Sequence, residues 1–272
     1  MIPPRTAPGR PRKRFGQHFL HDPAVIERIA AAVAPRPGDA LVEIGPGRGA
    51  LTRRLLQSDC GTLDAIEIDR DLAALLREEY GADPRFILHG TDALQMDFAD
   101  LARQRGQPLR VVGNLPYNIS TPLLFHLLQS ARHIRDLHVM LQREVIARMA
   151  AMPGDSAYGR LTVMLAPWVQ VERLFDVGPG AFQPPPQVWS TVARLTVRPQ
   201  PAFPVSAAFA AIVDAAFSHR RKTLRNALRG LATSEQIASC SVDPSARPET
   251  ISPVLFNAIA GKVELPGGGR LS

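Results

Sequence analysis

Asn114-Leu115-Pro116-Tyr117 is the stretch whose residue types and spacing best suit chemistry. The exocyclic amine of an adenine is flat and weakly nucleophilic, because its lone pair is shared with the ring. Acceptors aimed at its two N–H bonds favour the geometry that frees that pair. Asn114 offers the oxygen of its carboxamide, and Leu115 offers its backbone carbonyl. Pro116 stiffens the loop, and Tyr117 presents a face on which a base can stack. Stacking needs the ring and not its hydroxyl, so Tyr117→Phe is expected to be mild. The plain alternative is a strand-end turn, since Asn and Pro are common turn residues.

The elements before this stretch must place it. The apolar run Leu109 to Val112 reads as a buried strand that breaks at Gly113, leaving the loop at the edge where open α/β sheets bind ligands. Upstream, Ala40 to Ile44 is a short strand, followed by Gly45-Pro46-Gly47-Arg48-Gly49 and a helix carrying Leu51, Leu55 and Leu56. Glycines let backbone approach a ligand closely, and the helix start exposes free N–H groups. A strand from Leu63 to Ile68 carries Glu67, 22 positions after Gly45, where an acid can accept from ribose hydroxyls. A third, Phe86 to Leu88, leads to Gly90-Thr91-Asp92, where Asp92 can accept from an adenine amine, and a fifth runs Leu137 to Leu141. The strand–helix rhythm implies a parallel sheet with helices on both faces.

Gly45, Gly47 and Ala50 also satisfy the dinucleotide pattern G-x-G-x-x-A, which would make Glu67 an NAD ribose ligand. Three features weigh against NAD. Glu43 precedes the first glycine by two residues, Asp92 ends the third strand, and the fourth ends in Asn114-Leu115-Pro116-Tyr117 rather than a proton-relay residue. Together they are the layout of an S-adenosylmethionine site.

Charge adds a partner. Of the net +7, Arg5, Arg10, Arg12, Lys13 and Arg14 lie in an acid-free stretch over residues 1–14. Arg220, Arg221, Lys222, Arg225 and Arg229 lie in another, between Ala215 and Leu231. These ten exceed the whole excess, so the rest of the chain is slightly acidic. Two basic patches point to a polyanion, nucleic acid before membrane. Arg221, Arg225 and Arg229 recur every fourth residue and are expected to share one helix face. Hydrophobic residues at 45% suffice for a core, and no apolar run has the length of a membrane span. No secretory leader is expected, because the first fourteen residues are basic and Pro-rich. Pro3, Pro4, Pro8 and Pro11 argue against an amphipathic transit helix. Cys60 and Cys240 match no redox or metal spacing, and the seven histidines form no cluster, so no metal is expected. His18 and His21 read as surface residues, and a reducing, cytoplasmic location fits.

Later segments are less legible. Asp22-Pro23 opens a helix with Val25, Ile26, Ile29 and Val33 on one side. Leu161 to Trp168 fits helix or strand; Val169 to Val177 and Thr191 to Val197 read as strands. Between the last two, Phe182-Gln183-Pro184-Pro185-Pro186-Gln187-Val188-Trp189-Ser190 is a stiff loop. It either merely connects or holds Phe182 opposite Tyr117. The division expected is a flexible basic tail over 1–14, a main domain over 15–200, a small helical domain over 201–265, and a loose tail over 266–272.

In this order the motifs resemble the ribosomal RNA adenine dimethyltransferases, and among them the bacterial small-subunit (16S) branch. They are Phe15-Gly16-Gln17-His18-Phe19-Leu20, Glu43-Ile44-Gly45-Pro46-Gly47, Glu67-Ile68-Asp69, Gly90-Thr91-Asp92-Ala93 and Asn114-Leu115-Pro116-Tyr117. Phe182-x-Pro184-x-Pro186-x-Val188-x-Ser190 and Arg221-Lys222-Thr223-Leu224-Arg225-Asn226-Ala227-Leu228 complete the set. The resemblance implies a Rossmann-like class I methyltransferase sheet, mostly parallel, of seven strands with the last antiparallel, plus a small all-helical C-terminal domain. It implies cofactor contacts at His18, Leu20, Gly45, Glu67, Asp92 and Asn114, with the family most often having Asn where this chain has His18. It implies that Asn114, Leu115, Pro116, Tyr117 and Phe182 hold the base, and that Arg221, Lys222 and Arg225 bind RNA. The implied reaction is dimethylation of two adjacent adenosines near the 3′ end of small-subunit rRNA, by a monomer acting on a 30S-like particle. A large-subunit enzyme of the antibiotic-resistance type and a non-catalytic RNA-binding assembly factor are the alternatives.

Overall fold

Successive apolar runs, each followed by a turn and a helix, become neighbouring strands of one sheet. The structure, a computed structural model, describes residues 17–218 and 221–263. The basic tail, Phe15, Gly16, Arg220 and residues 266–272 lie outside the described residues. The chain divides into two compact units. The first runs to Ile146 and resumes over Gln170–Pro199; the second takes Ala147–Val169 and the residues from Gln200 onward.

In the first unit the elements are β1 (Phe19–Leu20), α1 (Pro23–Val33), β2 (Ala40–Ile44), α2 (Ala50–Leu56), β3 (Thr62–Ile66), α3 (Arg70–Tyr80), β4 (Phe86–His89), α4 (Phe98–Arg105), β5 (Leu109–Asn114), α5 (Ser120–Gln129) and β6 (Ile134–Gln142). Then α6 (Arg143–Ala150) begins in the first unit and ends in the second. The sheet is completed by β7 (Val169–Val177) and β9 (Ser190–Val197), with the short β8 (Phe182–Gln183) between them in sequence. Strand order is β4-β3-β2-β5-β6-β9-β7. The pairs among β4, β3, β2, β5 and β6 are parallel, and β9 runs antiparallel to β6. This is the seven-stranded, mostly parallel sheet with an antiparallel last strand. The order reverses between β2 and β5, because β3 and β4 continue on one side of β2 while β5 and β6 build the other. That switch point is where such sheets open a crevice.

Helices on both faces explain the largely apolar reading of β2 and β5, whose residues are almost all buried. The polar exceptions are paired. Asp64 accepts from Arg105 and contacts His89, and Arg110 bonds Asp39 and Asp136 as well as the carbonyls of Val33 and Ala34. Asp22 caps α1 by accepting from Ala24 and Val25, with Pro23 in the first turn, as its sequence predicts. The strand ending in Asn114 runs two residues beyond the expected end at Val112, through Gly113. Glycine is what permits this: a Cβ at 113 would lie 2.5 Å from the carbonyl oxygen of Ile44 on β2.

The second unit contains α7 (Arg160–Leu165), α8 (Phe209–Phe217), α9 (Leu224–Ala227), α10 (Ser234–Ala238) and α11 (Pro253–Ala260). Its core gathers Phe209, Ile212, Leu224, Leu228, Ile237 and Phe256. The ambiguous run after Gly159 is thus helical, and residues 147–169, read as part of the main domain, pack with this unit. Tyr158 joins them to its C-terminal part by donating to the carbonyl of Ile251 at 2.7 Å. The basic stretch differs from expectation. Only Arg225 lies within α9; Arg221 and Lys222 precede it on a turn and Arg229 follows it. Bonds from the Leu224 and Arg225 amides to the Ala246 and Pro244 carbonyls dock the segment, and the helix is too short for a fourfold repeat to form a face. All four cations are nonetheless exposed.

Candidate active site

At the switch point a cleft of ≈ 930 Å³ opens within the first unit. His18, Gly45, Gly47, Glu67, Asp92 and Asn114 line it, with Leu115, Pro116 and Tyr117 on one side. A smaller hollow of ≈ 520 Å³ shares His18, Gly45, Gly47 and Asn114 and extends to Leu20 and Glu43.

The glycine loop is held by the acid at the end of β3. Glu67 accepts from the Gly47 amide at 3.1 Å through one oxygen and from the Asp69 amide at 2.9 Å through the other. Gly47 has a positive φ of 60°, and a Cβ there would meet the Phe19 ring at 3.0 Å. Burial raises the Glu67 carboxyl above its ordinary range, while these amides oppose the rise. Each oxygen keeps a second lone pair for a ligand hydroxyl. Glu43, buried on β2, is pushed up to about 7 by burial; the bond from the Thr52 hydroxyl opposes this and the Glu67 charge adds to it. Asp92 accepts from the Leu94 amide at 2.9 Å and so caps a short turn.

The Asn114–Tyr117 loop is held from two sides. Asn114 donates its amide nitrogen to the His18 carbonyl at 3.0 Å, which leaves Oδ1 as the acceptor of the carboxamide. The Leu115 amide donates to the Met140 carbonyl at 3.2 Å. His18 Nδ1 lies 2.8 Å from the Pro184 carbonyl, which can only accept, so Nδ1 carries the proton. The His18 and Tyr117 rings stand 5.8 Å apart, tilted by 30°. The Tyr117 hydroxyl lies 2.9 Å from Ser190 Oγ. Underneath, β1 and β8 pair antiparallel, with Leu20 opposite Phe182 and Phe19 opposite Gln183.

The sequence pattern of the family described as Ribosomal RNA adenine dimethylase matches residues 9–261. The chain belongs to that family. It is 52% identical over 261 residues to the Ribosomal RNA small subunit methyltransferase A of Pseudomonas aeruginosa, covering 95% of this chain and 97% of that one. It is 55% identical over 245 residues to the protein of the same name from Nitrosococcus oceani, covering 89% and 92%. The crystal structure of a dimethyladenosine transferase from Plasmodium falciparum shares the fold, with a TM-score of 0.76 at 23% identity, covering 89% of this chain and 96% of that one. That of the 23S rRNA methyltransferase ErmE gives 0.69 at 26% identity, covering 90% and 99%.

Against the positions implied by this dimethylase family, five of the cofactor residues line the cleft, and Leu20 lines the adjoining hollow instead. His18 is half-buried and also serves the site: its ring faces Tyr117 and its backbone carbonyl holds Asn114. Phe182 requires a correction. It is 2% exposed, lies in the apolar core with Val177 and Val192, and lines neither cavity. Its place in β8 opposite Leu20 turns the ring into the core, so the ring facing Tyr117 is that of His18. Two residues of the quoted motifs had no role in the sequence reading. Ile68, 47% exposed, supplies an apolar wall of the cleft; its signal was an apolar residue between two acids past a strand's end. Ser190, fully buried, meets Tyr117 across 73 positions of sequence, a contact no local pattern encodes.

Proposed function

We infer that this dimethylase transfers methyl groups from S-adenosylmethionine to the exocyclic amines of two adjacent adenosines near the 3′ end of small-subunit (16S) rRNA, placing two methyls on each. The observation that carries this reading is the bond from Asn114 Nδ2 to the His18 carbonyl, which reserves Oδ1 as an acceptor beside the cleft lined by Gly45, Glu67 and Asp92. The cleft's donors and acceptors fit the cofactor. Glu67 would accept from ribose hydroxyls, Asp92 from the adenine amine, and Ile68 would lie against the base, while Gly45 admits close approach of backbone. Bound there, S-adenosylmethionine supplies an electrophilic methyl on a sulfonium.

The protein's part is alignment. Asn114 Oδ1 and the Leu115 carbonyl accept from the two N–H bonds of the target amine, turning its lone pair out of the ring. Pro116 fixes the loop, and the Tyr117 ring stacks the flipped base. Stacking is worth ~1–3 kcal/mol, comparable with the cost of unstacking. Correct placement of the reacting atoms supplies most of the acceleration, and acceptors at the amine stabilise the charge that develops on it. No strong general base is needed, because the surplus proton can leave to water. Arg221, Lys222 and Arg225 would contact phosphates of a 30S-like particle approached by a monomer in the cytoplasm. No described helix is long and apolar enough to cross a membrane.

The test is uptake of tritiated methyl from S-adenosylmethionine into unmethylated small subunits, with the labelled nucleoside identified as N6,N6-dimethyladenosine. Labelling of large-subunit RNA instead would overturn the small-subunit assignment. Tight RNA binding without uptake would make the protein an assembly factor.

A further inference from the structure

The buried Ser190 hydroxyl at the start of β9 lies 2.9 Å from the hydroxyl of Tyr117, a residue that lines the cleft. Tyr117 sits on a turn beyond β5, so its ring has no ladder of backbone bonds to fix it. Ser190 is the opposite case. It is fully buried and paired with Gln142 in the antiparallel β6–β9 ladder, a rigid platform. The neighbouring Trp189 carbonyl accepts from the Arg143 amide at 2.9 Å, which pins the entry to β9 as well. On its other side the Tyr117 ring meets His18, itself tied to the Pro184 carbonyl.

We propose that Ser190 is a positioning residue for methyl transfer: its hydroxyl anchors Tyr117 to the sheet and sets the plane on which the acceptor base stacks. This rests on the reading that Tyr117 holds the base. The tether explains why a tyrosine serves here when stacking alone needs only a ring, and it reverses the expectation that Tyr117→Phe is mild. A freely rotating ring samples planes that misalign the amine, and misplacement by a fraction of a bond length is costly in an alignment-driven reaction. Ser190→Ala removes the anchor and leaves both the cleft and the cofactor contacts intact.

The experiment is a double-mutant cycle on kcat for methyl transfer to unmethylated small subunits, using Ser190→Ala, Tyr117→Phe and the pair. Melting temperature and the S-adenosylmethionine KM are measured on each. Each single variant is expected to lose about three- to tenfold in kcat, the scale of one hydrogen bond. The KM for S-adenosylmethionine should stay at its wild-type value, and the double variant should be no slower than Tyr117→Phe alone. Equal losses from Ser190→Ala in both backgrounds, or a loss that merely follows a lowered melting temperature, would overturn the proposal. So would an unchanged kcat in Ser190→Ala. Tyr117→Ala separates the two levels: if it retains full activity, the base-stacking reading falls; if it is inactive while Ser190→Ala is not impaired, only the tether falls.

Discussion

Glu43 carries the clearest pH signature of any single residue. Its carboxyl, ordinarily near 4.5, is pushed up to about 7 by burial, against the Thr52 bond and with the Glu67 charge. The folded state therefore keeps a proton that the unfolded state releases above about pH 4.5. Stability falls as pH rises from about 4.5 to about 7 and is level beyond, with a total of up to about 3 kcal/mol. Glu43→Gln can still accept from Thr52 and has no charge to bury. It should match the wild type at pH 4.5 and exceed it in urea unfolding at pH 8; parallel profiles for the two proteins would refute the assignment. Phe182 makes the contrasting case, an aromatic whose motif suggests substrate and whose surroundings are core. Phe182→Ala should cost ~3–5 kcal/mol, as for other buried phenylalanines. Its methyl transfer should fall only with the folded fraction. A stable variant with tenfold lower activity would return the ring to the substrate.

At the scale of elements, what the sequence made legible was local. The strands β2, β3 and β5, the glycine loop and the capped α1 were all readable, because parallel strands buried on both faces leave continuous apolar runs and Asp-Pro marks a helix start. Glu67 and Asp92 could be placed because they end such strands. What escaped depends on pairing across long separations. Nothing in residues 17–21 announces that Leu20 lies opposite Phe182, so neither the burial of that ring nor the facing of His18 to Tyr117 could be read. The fourfold spacing of Arg221, Arg225 and Arg229 was real in sequence but had no helix to act through, since α9 spans only Leu224–Ala227. The acid that follows β3 both braces the glycine loop and lines the cleft. Glu67 receives the Gly47 and Asp69 amides while lining the cleft. Glu67→Ala should lower the melting temperature as well as cofactor affinity, with RNA affinity unchanged. Calorimetric titration showing wild-type affinity for S-adenosylmethionine would make Glu67 a brace alone.

On the scale of the whole molecule, the protein is a slightly acidic body carrying two acid-free basic stretches. A ribosomal particle is a dense polyanion, and a protein that must find one site on it gains from long-range attraction that carries no sequence information. In the proposed function, reading of the target then falls to the Asn114–Tyr117 loop beside the cleft. Arg221, Lys222 and Arg225 suit the first task. They are exposed, and none of the ion pairs among the described residues uses them. Arg225 does feel one acid: its charge helps hold the Asp243 carboxyl below its usual range, after the bonds Asp243 receives from the Ser245 hydroxyl and amide. Arg225 lies within α9, while Arg221 and Lys222 rest on the turn before it. Replacing all three by Ala should weaken binding to small subunits and make it less sensitive to salt. The slope of log affinity against log salt should shrink by about 0.7–0.9 for each phosphate no longer neutralised. The affinity for S-adenosylmethionine should not change, because none of the three lines the cleft. An unchanged slope would mean that this surface is simply solvated and that the electrostatic attraction comes from elsewhere in the protein. A reduced slope with unchanged kcat at saturating subunits would assign the three residues to docking alone, and would separate recognition of the particle from alignment of the base.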